Sequence, residues 1–313
     1  MKIRALAVAS LFVLSAAAIR ASTMVENFAV NPSLQGWQAY GDASLFQWNS
    51  TNGTLAVTWD SSQTNSYFYR PLGRTLTKAD GFCVQFELTL NDATATGFFE
   101  IAIGLCRLAD ITSPQFSRAN VNSPNLVEFD YYPTGPNSYG PSIDATLIDQ
   151  HSLFYFAYDA TQALAAGTTY HILLIHPAGA STVRGVVMAN GEVVTTLPDV
   201  YAGGADDFSL DTLSINNYTT TDDIYGDSLL AHGAVDNLVI ASPLPVDKIT
   251  AIGPGQVQFA SDTNWIYTLE ATADFKTWSV ASPGISGNGT NLVLQDTNAL
   301  PEHANYRVRA ELP

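Results

Sequence analysis

Hydrophobic and polar residues alternate with a period of two through most of the chain beyond residue 25. This period is typical of β-strands that bury one face and expose the other. Asn52-Gly53 and Asn190-Gly191 each separate two alternating runs, which is the strongest short signal for a β-hairpin. Strong helical periodicity is missing, so the pattern predicts an all-β protein.

A break in the pattern divides the chain into two units. Residues 243–247 contain two prolines, Pro243 and Pro245, and this predicts a linker. Residues 22–242 then form one large unit, which is long enough for the core of a two-sheet sandwich. Residues 248–313 form a second, smaller β unit.

The first residues have the pattern of a secretory signal peptide. Lys2 and Arg4 precede an apolar run that extends from Ala5 to Ala18. We expect residues 1–21 to be this signal, with cleavage after Ala18 or Ala21; the alternative is a buried N-terminal helix. The run is shorter than the ~20 residues that a membrane span needs. An exported protein, secreted or at the cell surface and without a membrane span, is therefore predicted.

The composition is strongly acidic, with a formal net charge of −16. Removal of residues 1–18 would also remove Lys2 and Arg4, which takes the net charge from −16 to −18. Such a surface repels phosphate backbones and anionic membranes, which argues against nucleic acid as a partner. Two interpretations remain open: solubility outside the cell, or an affinity for cations such as calcium.

Two acids stand out on a predicted strand at residues 125–133. Glu128 and Asp130 are two positions apart, so they lie on one face of that strand. The opposite face carries three residues suited to a core: Val127, Phe129 and Tyr131. Paired acids on a sheet can serve catalysis at a sugar, metal ligation or simple solvation, and the spacing alone leaves all three open.

The chain has only two cysteines, Cys83 and Cys106, on two alternating segments at residues 82–90 and 99–106. The polar residues 91–96 between them are a plausible hairpin connection that would bring the two cysteines close together. Because exported proteins meet oxidising conditions, a Cys83–Cys106 disulfide is one expectation. Two separate buried thiols are the other.

Four pieces of the chain, in their order, resemble the concanavalin-A-like lectin/glucanase jelly roll. They are the opening segment with Asn27-Phe28, Gly36-Trp37 and residues 52–57, the strand pair 127–133 and 142–149, the strand 169–175, and the closing strand 233–240. The resemblance covers nearly all of residues 25–241. It implies two antiparallel sheets packed face to face, one of them curved, and glycan or polysaccharide as the partner.

Legume-type lectins within this superfamily use a strand Glu and Asp to ligate a transition metal and calcium. Glu128 and Asp130 match these acids, and Tyr132 matches an aromatic residue that offers its carbonyl. Residues 135–142 contain neither the acid nor the histidine that the lectin pattern has next. Since calcium takes about 6–8 oxygen ligands, the resemblance implies at most a weak calcium site, with no other cofactor.

Family 16 glycoside hydrolases carry the strand motif Glu-x-Asp-x-x-Glu, and Glu128 and Asp130 match its first two acids. Pro133 stands where the acid/base glutamate belongs. A retaining glycosidase needs two carboxyl groups about 5–5.5 Å apart, one of which donates a proton. We therefore expect a non-catalytic protein. The alternatives are a glycoside hydrolase or polysaccharide lyase that uses other acids in the concave groove, and a purely structural surface protein.

Aromatic residues near these acids are candidates for stacking on sugar rings. The predicted ligand-binding set is Glu128, Asp130, Tyr131, Tyr132, Tyr139, Tyr67 and Tyr69. In the small unit, Tyr267-Thr-Leu-Glu270 is followed by Trp278 and by Tyr306-Arg-Val308. This order resembles the small fibronectin-III-like β module of secreted bacterial proteins, which implies spacing, attachment or binding. The overall prediction is a secreted or cell-surface carbohydrate-binding protein.

Overall fold

The computed structural model describes residues 22–119, 122–134, 140–155, 162–201, 207–221, 226–242, 249–253, 255–263, 265–273, 277–297 and 305–311. Its strands in the large unit are β1 Ser22–Glu26, β2 Gln38–Tyr40, β3 Phe46–Asn49, β4 Thr54–Asp60, β5 Ser66–Thr77, β6 Phe82–Thr96, β7 Ile101–Cys106, β8 Leu126–Tyr132, β9 Ser142–Ile148, β10 Phe154–Tyr155, β11 Thr169–His176, β12 Thr182–Ala189, β13 Glu192–Tyr201, β14 Ser209–Asn217 and β15 Ser228–Ser242. The strands of the small unit are β16 Thr250–Gly253, β17 Gln256–Ala260, β18 Ile266–Thr272, β19 Ser279–Ser286, β20 Asn291–Gln295 and β21 Asn305–Glu311. Helical turns are the short helix α1, Leu108–Ile111, and the 3-10 turns Pro32–Gln35 and Ala43–Leu45.

The large unit is a jelly-roll sandwich of two antiparallel sheets, which confirms the predicted fold class. Sheet A has the order β13-β12-β11-β6-β15-β4-β3, with β1 also paired to β15. Sheet B has the order β10-β9-β8-β7-β14-β5-β2. Neighbouring strands are often distant in the sequence, so the fold depends on long-range pairing. No helix among the described residues is long and apolar enough to cross a membrane.

Both Asn-Gly signals form hairpins, as predicted. Asn52-Gly53 connects β3 to β4, and Asn190-Gly191 connects β12 to β13. Asn190 and Gly191 have φ angles of +54° and +79°. Positive φ at both central residues is what a type I′ turn requires, and asparagine and glycine tolerate it best.

The hydrophobic core lies between the two sheets. Val127 and Phe129 are fully buried there and Tyr131 nearly so, as the alternation on β8 predicted. Phe129 meets Phe86 of sheet A edge to face, with ring centroids 5.7 Å apart. Because this contact crosses from sheet to sheet, the face of β8 with the odd-numbered residues is the core face.

The small unit contains two three-stranded sheets, β16-β17-β20 and β19-β18-β21. Its buried apolar residues include Phe259, Trp265 and Tyr267, and the same cluster contains Val239 and Ala241 of sheet A. The small unit thus covers part of the outer face of sheet A. The predicted boundaries at residues 22–242 and 248–313 stay predictions, because the signal residues 1–21 and the linker 243–247 lie outside the described residues.

The predicted hairpin that would join the cysteines is wrong. Cys83 lies on β6 in sheet A, Cys106 lies on β7 in sheet B, and both are buried free thiols. Residues 91–96, which the pattern assigned to a turn, continue β6 and pair with β15. The chain then crosses to the other sheet, so β7 is no ladder partner of β6. The second expectation, two separate buried thiols, describes the structure, and burial raises the pKa of each thiol.

Candidate functional site

The even-numbered residues of β8 form the centre of a polar surface on sheet B, on the side opposite the hydrophobic core. Glu128 lies between Gly104 of β7 and Thr146 of β9. A Cβ atom at position 104 would collide with the carbonyl oxygen of Val127, so glycine lets β7 approach β8 closely here. We call this surface the polar face. Its members include Glu100, Cys106, Glu128, Asp130, Thr146, Thr212, Ser214 and Asn216.

A single arginine lies over the acids of this face. Arg118 Nη2 donates to Asp130 Oδ2 at 2.8 Å. Arg118 Nε lies 3.4 Å from Glu100 Oε1 and 3.4 Å from Glu128 Oε1. All four side chains are buried. We call Glu100, Arg118, Glu128 and Asp130 the Arg118 cluster; one guanidinium serves three carboxyl groups in it.

The other oxygen of Glu128, Oε2, accepts hydrogen bonds from two neutral side chains. The hydroxyl of Tyr218 donates to Glu128 Oε2 at 2.6 Å, and Asn216 Nδ2 donates to the same oxygen at 2.9 Å. Asn216 is on β14, two strands away from β8, and Tyr218 directly follows β14. The acid is therefore held by residues 88 and 90 positions away in the sequence.

Asp130 is equally well held. Thr146 Oγ1 donates to Asp130 Oδ2 at 2.6 Å, and the hydroxyl of Tyr132 lies 3.4 Å from the same oxygen. With Arg118, three donors converge on this one atom. The ring of Tyr132 in turn stacks on Phe98, with centroids 4.0 Å apart. Asp130 is thus a structural acceptor through Oδ2, whereas its Oδ1 is buried without a hydrogen-bond partner among the described residues.

Aromatic rings close the Arg118 cluster from solvent. Arg118 Cζ is 4.6 Å from the ring centroid of Phe154 and 5.8 Å from that of Tyr218. Phe116 packs against the rings of Tyr67 and Tyr218. Glu128 and Asp130 point away from the core, as the spacing predicted, but both are 0% exposed. They lie beneath a cover and not in an open groove.

Burial changes the protonation of the Arg118 cluster. Removal from water raises the pKa of Glu128 to about 8, and the neighbouring Asp130 charge adds to this while Arg118 opposes it. Burial likewise raises the pKa of Glu100 to about 7 against the opposing effect of Arg118. The pKa of Asp130 is raised by burial too. Since one guanidinium cannot compensate three carboxylates, protons on the glutamates reduce the buried charge.

The metal site implied by the lectin resemblance does not fit these residues. Calcium needs about 6–8 oxygen ligands, several of them charged. Here Glu128 Oε2 and Asp130 Oδ2 already accept hydrogen bonds from protein donors. Glu128 Oε1 and Asp130 Oδ1 have no hydrogen-bond partner among the described residues, but Glu128 Oε1 lies 3.4 Å from the Arg118 guanidinium. The described residues contain no group of three or more His, Cys, Asp or Glu side chains arranged to hold a metal ion. Glu128, Asp130 and Tyr132 are therefore not assigned as metal ligands.

The structure brings together only some of the aromatic residues that the sequence predicted. Tyr67 is buried on the polar face and Tyr69 is half-buried on the same face of β5. Tyr131 is a correction: it lies in the core on the opposite face, where its hydroxyl accepts a hydrogen bond from the backbone of Leu164. This follows directly from its odd-numbered position on β8. Tyr139 lies outside the described residues.

Sequence reasoning missed several important residues of this site. Glu100 had a signal, because the alternating segment 99–106 puts it on the face with the small residues Ala102 and Gly104 and with Cys106, opposite the large apolar ones. Asn216 and Tyr218 belong to the β14 region, which their alternation marks as a strand but not as a neighbour of β8. Arg118 had no signal, because it lies in an irregular segment between α1 and β8.

The polar face opens to solvent near its end beside α1. A shallow groove of about 310 Å³ lies there. Thr212 faces Pro71 across the β14–β5 ladder and belongs to the polar face with Ser214. Tyr69, two residues before Pro71 on the same strand, is half-buried and donates from its hydroxyl to Gln38 Oε1 at 3.1 Å. The lining residues are Pro71, Gly73, Arg74, Thr75, Leu108, Asp211 and Thr212.

No family model and no curated protein sequence matches this chain. Among solved structures it is similar to alginate lyase Aly36B at 14% identity and a TM-score of 0.41, over 70% of this chain and 96% of that one. It is similar to the lectin UEA-II, complexed with galactose, at 15% identity and a TM-score of 0.44, over 71% of this chain and 98% of that one. It is similar to peanut lectin at 12% identity and a TM-score of 0.41, over 70% of this chain and 98% of that one. At such values the similarity says nothing about activity or ligand.

Proposed function

We propose that this chain is an exported carbohydrate-binding protein that holds a glycan in the open groove of the polar face, without catalysis at Glu128 or Asp130. The observation that carries the proposal is the division of one face into two parts. The acids are sealed under Arg118, whereas the groove beside α1 is open. Export to the medium or the cell surface rests on the signal peptide predicted for residues 1–21.

The lining of the groove suits a sugar. Pro71 and Leu108 offer apolar surfaces, and Arg74, Asp211 and Thr212 offer polar groups. Sugar rings present C–H faces together with hydroxyl groups, so a site for them combines both kinds of contact. Tyr69 is not among the lining residues, but it lies two residues before Pro71 on β5 and would supply an aromatic surface of the kind on which sugars stack. A groove of about 310 Å³ is at the lower end of the range of ligand pockets.

The closed state of the Arg118 cluster argues against the enzymatic alternatives. A glycoside hydrolase or polysaccharide lyase must bring its acids and bases within hydrogen-bond reach of a polymer. Glu128 and Asp130 are 0% exposed, and the rings of Phe154 and Tyr218 flank the guanidinium above them. The small unit, for which the fibronectin-III-like character is a prediction, would serve to space or attach the larger one.

Binding of the mature chain to a panel of neutral and anionic polysaccharides tests the proposal. We expect retention on at least one polysaccharide, and a loss of affinity of about tenfold in Tyr69→Ala, because a stacked ring is removed. Tyr306→Ala is the matched control: this tyrosine is also half-buried, but it lies on β21 of the small unit. The control should bind as the wild type does.

The same samples separate binding from catalysis. Reducing-sugar release would reveal hydrolysis, and ultraviolet absorbance of an unsaturated product would reveal a lyase. We expect neither. Turnover that disappears in Glu128→Gln would overturn the proposal in favour of an enzyme, and failure to bind any member of the panel would overturn it in favour of a structural protein. Equal losses in Tyr69→Ala and Tyr306→Ala would remove the groove as the site.

A further inference from the structure

Three carboxyl groups meet one guanidinium at the place where the lectin resemblance implied a metal. We propose that the Arg118 guanidinium is the permanent cation at this position. It organises the polar face of sheet B, and the domain keeps its structure without a divalent metal. The proposal concerns the stability of the domain, so it stands independently of glycan binding.

The geometry of the contacts favours a guanidinium. Nη2 reaches Asp130 at 2.8 Å, while Nε lies 3.4 Å from both Glu100 and Glu128. The three acids come from β8 and from the residue that precedes β7, so one planar group connects two strands of sheet B and the segment that covers them. A planar, permanently charged group with several donors suits this arrangement.

The aromatic surroundings favour the same group. Arg118 Cζ lies over the ring of Phe154, with Tyr218 on a second side. A guanidinium is weakly hydrated and stacks on aromatic faces, whereas a divalent ion keeps oxygen ligands or water around it. An aromatic enclosure of this kind therefore holds an arginine better than a hydrated metal.

Hydrogen bonds hold the backbone segment that carries Arg118. Ser117 N donates to Asn122 O at 3.0 Å, and Asn122 N donates back to Ser117 O at 2.9 Å. Asn122 Nδ2 also donates to Gln115 O at 2.5 Å. Arg118 thus leaves a turn that is closed by reciprocal hydrogen bonds. A backbone held in this way limits the conformational freedom of the segment, which lowers the entropy cost of keeping the Arg118 side chain in the cluster.

Thermal unfolding of the wild-type protein gives the first test. We expect the melting temperature to be the same, within about 1 °C, in chelator, in excess calcium and in excess manganese. A metal that bound only the folded state, at a concentration of about a hundred times its dissociation constant, would raise the melting temperature by about 5 °C or more. A fall in chelator that calcium restores, and that Glu128→Gln abolishes, would overturn the proposal.

Substitution of the arginine gives the second test. Arg118→Ala should lower the melting temperature by about 10 °C, because it leaves buried acids without their counter-charge. Arg184→Ala is the matched control, since Arg184 is exposed on β12, and it should melt as the wild type does. Millimolar guanidinium chloride should raise the melting temperature of Arg118→Ala beyond its effect in equimolar sodium chloride, and should not raise that of Arg184→Ala.

A second variant guards against a chain that fails to fold. Arg118→Lys keeps the charge but loses the planar fork, so it should melt between Arg118→Ala and the wild type. If Arg118→Ala does not fold, Arg118→Lys should still melt several degrees below the wild type, in chelator and in calcium alike. Equal melting temperatures of Arg118→Lys and Arg184→Ala would overturn the proposal, as would calcium that stabilises Arg118→Lys and wild type equally.

Discussion

The two glutamates of the Arg118 cluster hold protons in the folded protein that they lose in the unfolded chain. The pKa of Glu128 rises from 4.5 to about 8 on folding, and that of Glu100 rises from 4.5 to about 7. A raised acid pKa means that the folded state binds more protons between these values. The contribution of the two protonated glutamates to stability is therefore complete below pH 4.5 and is lost as the pH rises through their folded pKa values of about 7 and 8.

We predict that the free energy of unfolding falls between pH 5 and pH 9, by at most about 1.4 kcal/mol per pH unit for each proton. Urea unfolding at pH 5, 6, 7, 8 and 9 measures this. Glu128→Gln should flatten the profile, because a neutral amide needs no proton. Glu192→Gln, at an exposed position of β13, should leave it unchanged. A stability that rises from pH 6 to pH 9 would contradict the prediction.

Another buried acid, Glu26, fixes the start of the large unit. Glu26 Oε1 accepts from the backbone of Phe28 at 2.8 Å, and Oε2 accepts from Trp37 Nε1 at 2.9 Å. Phe28 has a φ angle of +48°, a conformation that a bulky residue rarely adopts. The carboxylate thus holds a strained turn and a core tryptophan together.

Glu26→Ala should destabilise the protein by about 3 kcal/mol, because two buried donors lose a charged acceptor. Chemical unfolding measures this, with Glu192→Ala as the control at an exposed glutamate. Glu26→Gln should cost less, since an amide oxygen can still accept one bond. A stability of Glu26→Ala equal to that of the control would contradict the role given to Glu26.

At the scale of elements, β6 is longer than the alternating run at residues 82–90 predicted. The strand extends from Phe82 to Thr96, and its second half pairs with β15 where a turn was predicted. Residues 91–96 are largely exposed on both faces of the strand and do not interrupt it. The next strand, β7, then belongs to the opposite sheet.

This placement predicts that both cysteines are reduced and inaccessible. Cys83 and Cys106 should resist a thiol reagent in the native protein and should both react in denaturant without prior reduction, since both are buried free thiols. A reductant should leave the melting temperature unchanged. Denatured protein in which neither thiol reacts until a reductant is added would show that a bond exists.

At the scale of the whole molecule, the small unit shares a buried apolar cluster with sheet A. Cys83, Val239 and Ala241 belong to the outer face of sheet A, and they are buried together with Phe259 and Trp265. An apolar patch on the outer face of a sheet would otherwise be exposed to water. The two units are therefore expected to stabilise each other.

Val239→Asp tests this coupling. A carboxylate placed in this cluster should lower the free energy of unfolding by about 3 kcal/mol and increase protease cleavage between the units. Val193→Asp is the control, because Val193 is 60% exposed on β13. Indistinguishable stabilities of the two variants would contradict a buried contact between the units.

The sequence determined which residues share a face within each strand. Glu128 and Asp130 had to share one face, and Val127, Phe129 and Tyr131 the other, because side chains alternate along any β-strand whatever its neighbours are. The Asn-Gly pairs had to turn, since their residues accept positive φ angles. For these reasons the all-β class, both hairpins and the core side of β8 could be predicted.

Only the tertiary structure decided what each face meets. The contact of Asn216 with Glu128 depends on β14 lying one strand beyond β7, and the order of strands in a sheet is set by long-range pairing that no local pattern contains. Arg118 reaches the acids from an irregular segment without any periodicity. Whether two carboxyl groups on a strand lie in an open groove or in a sealed ion cluster was settled by that one side chain and the rings around it.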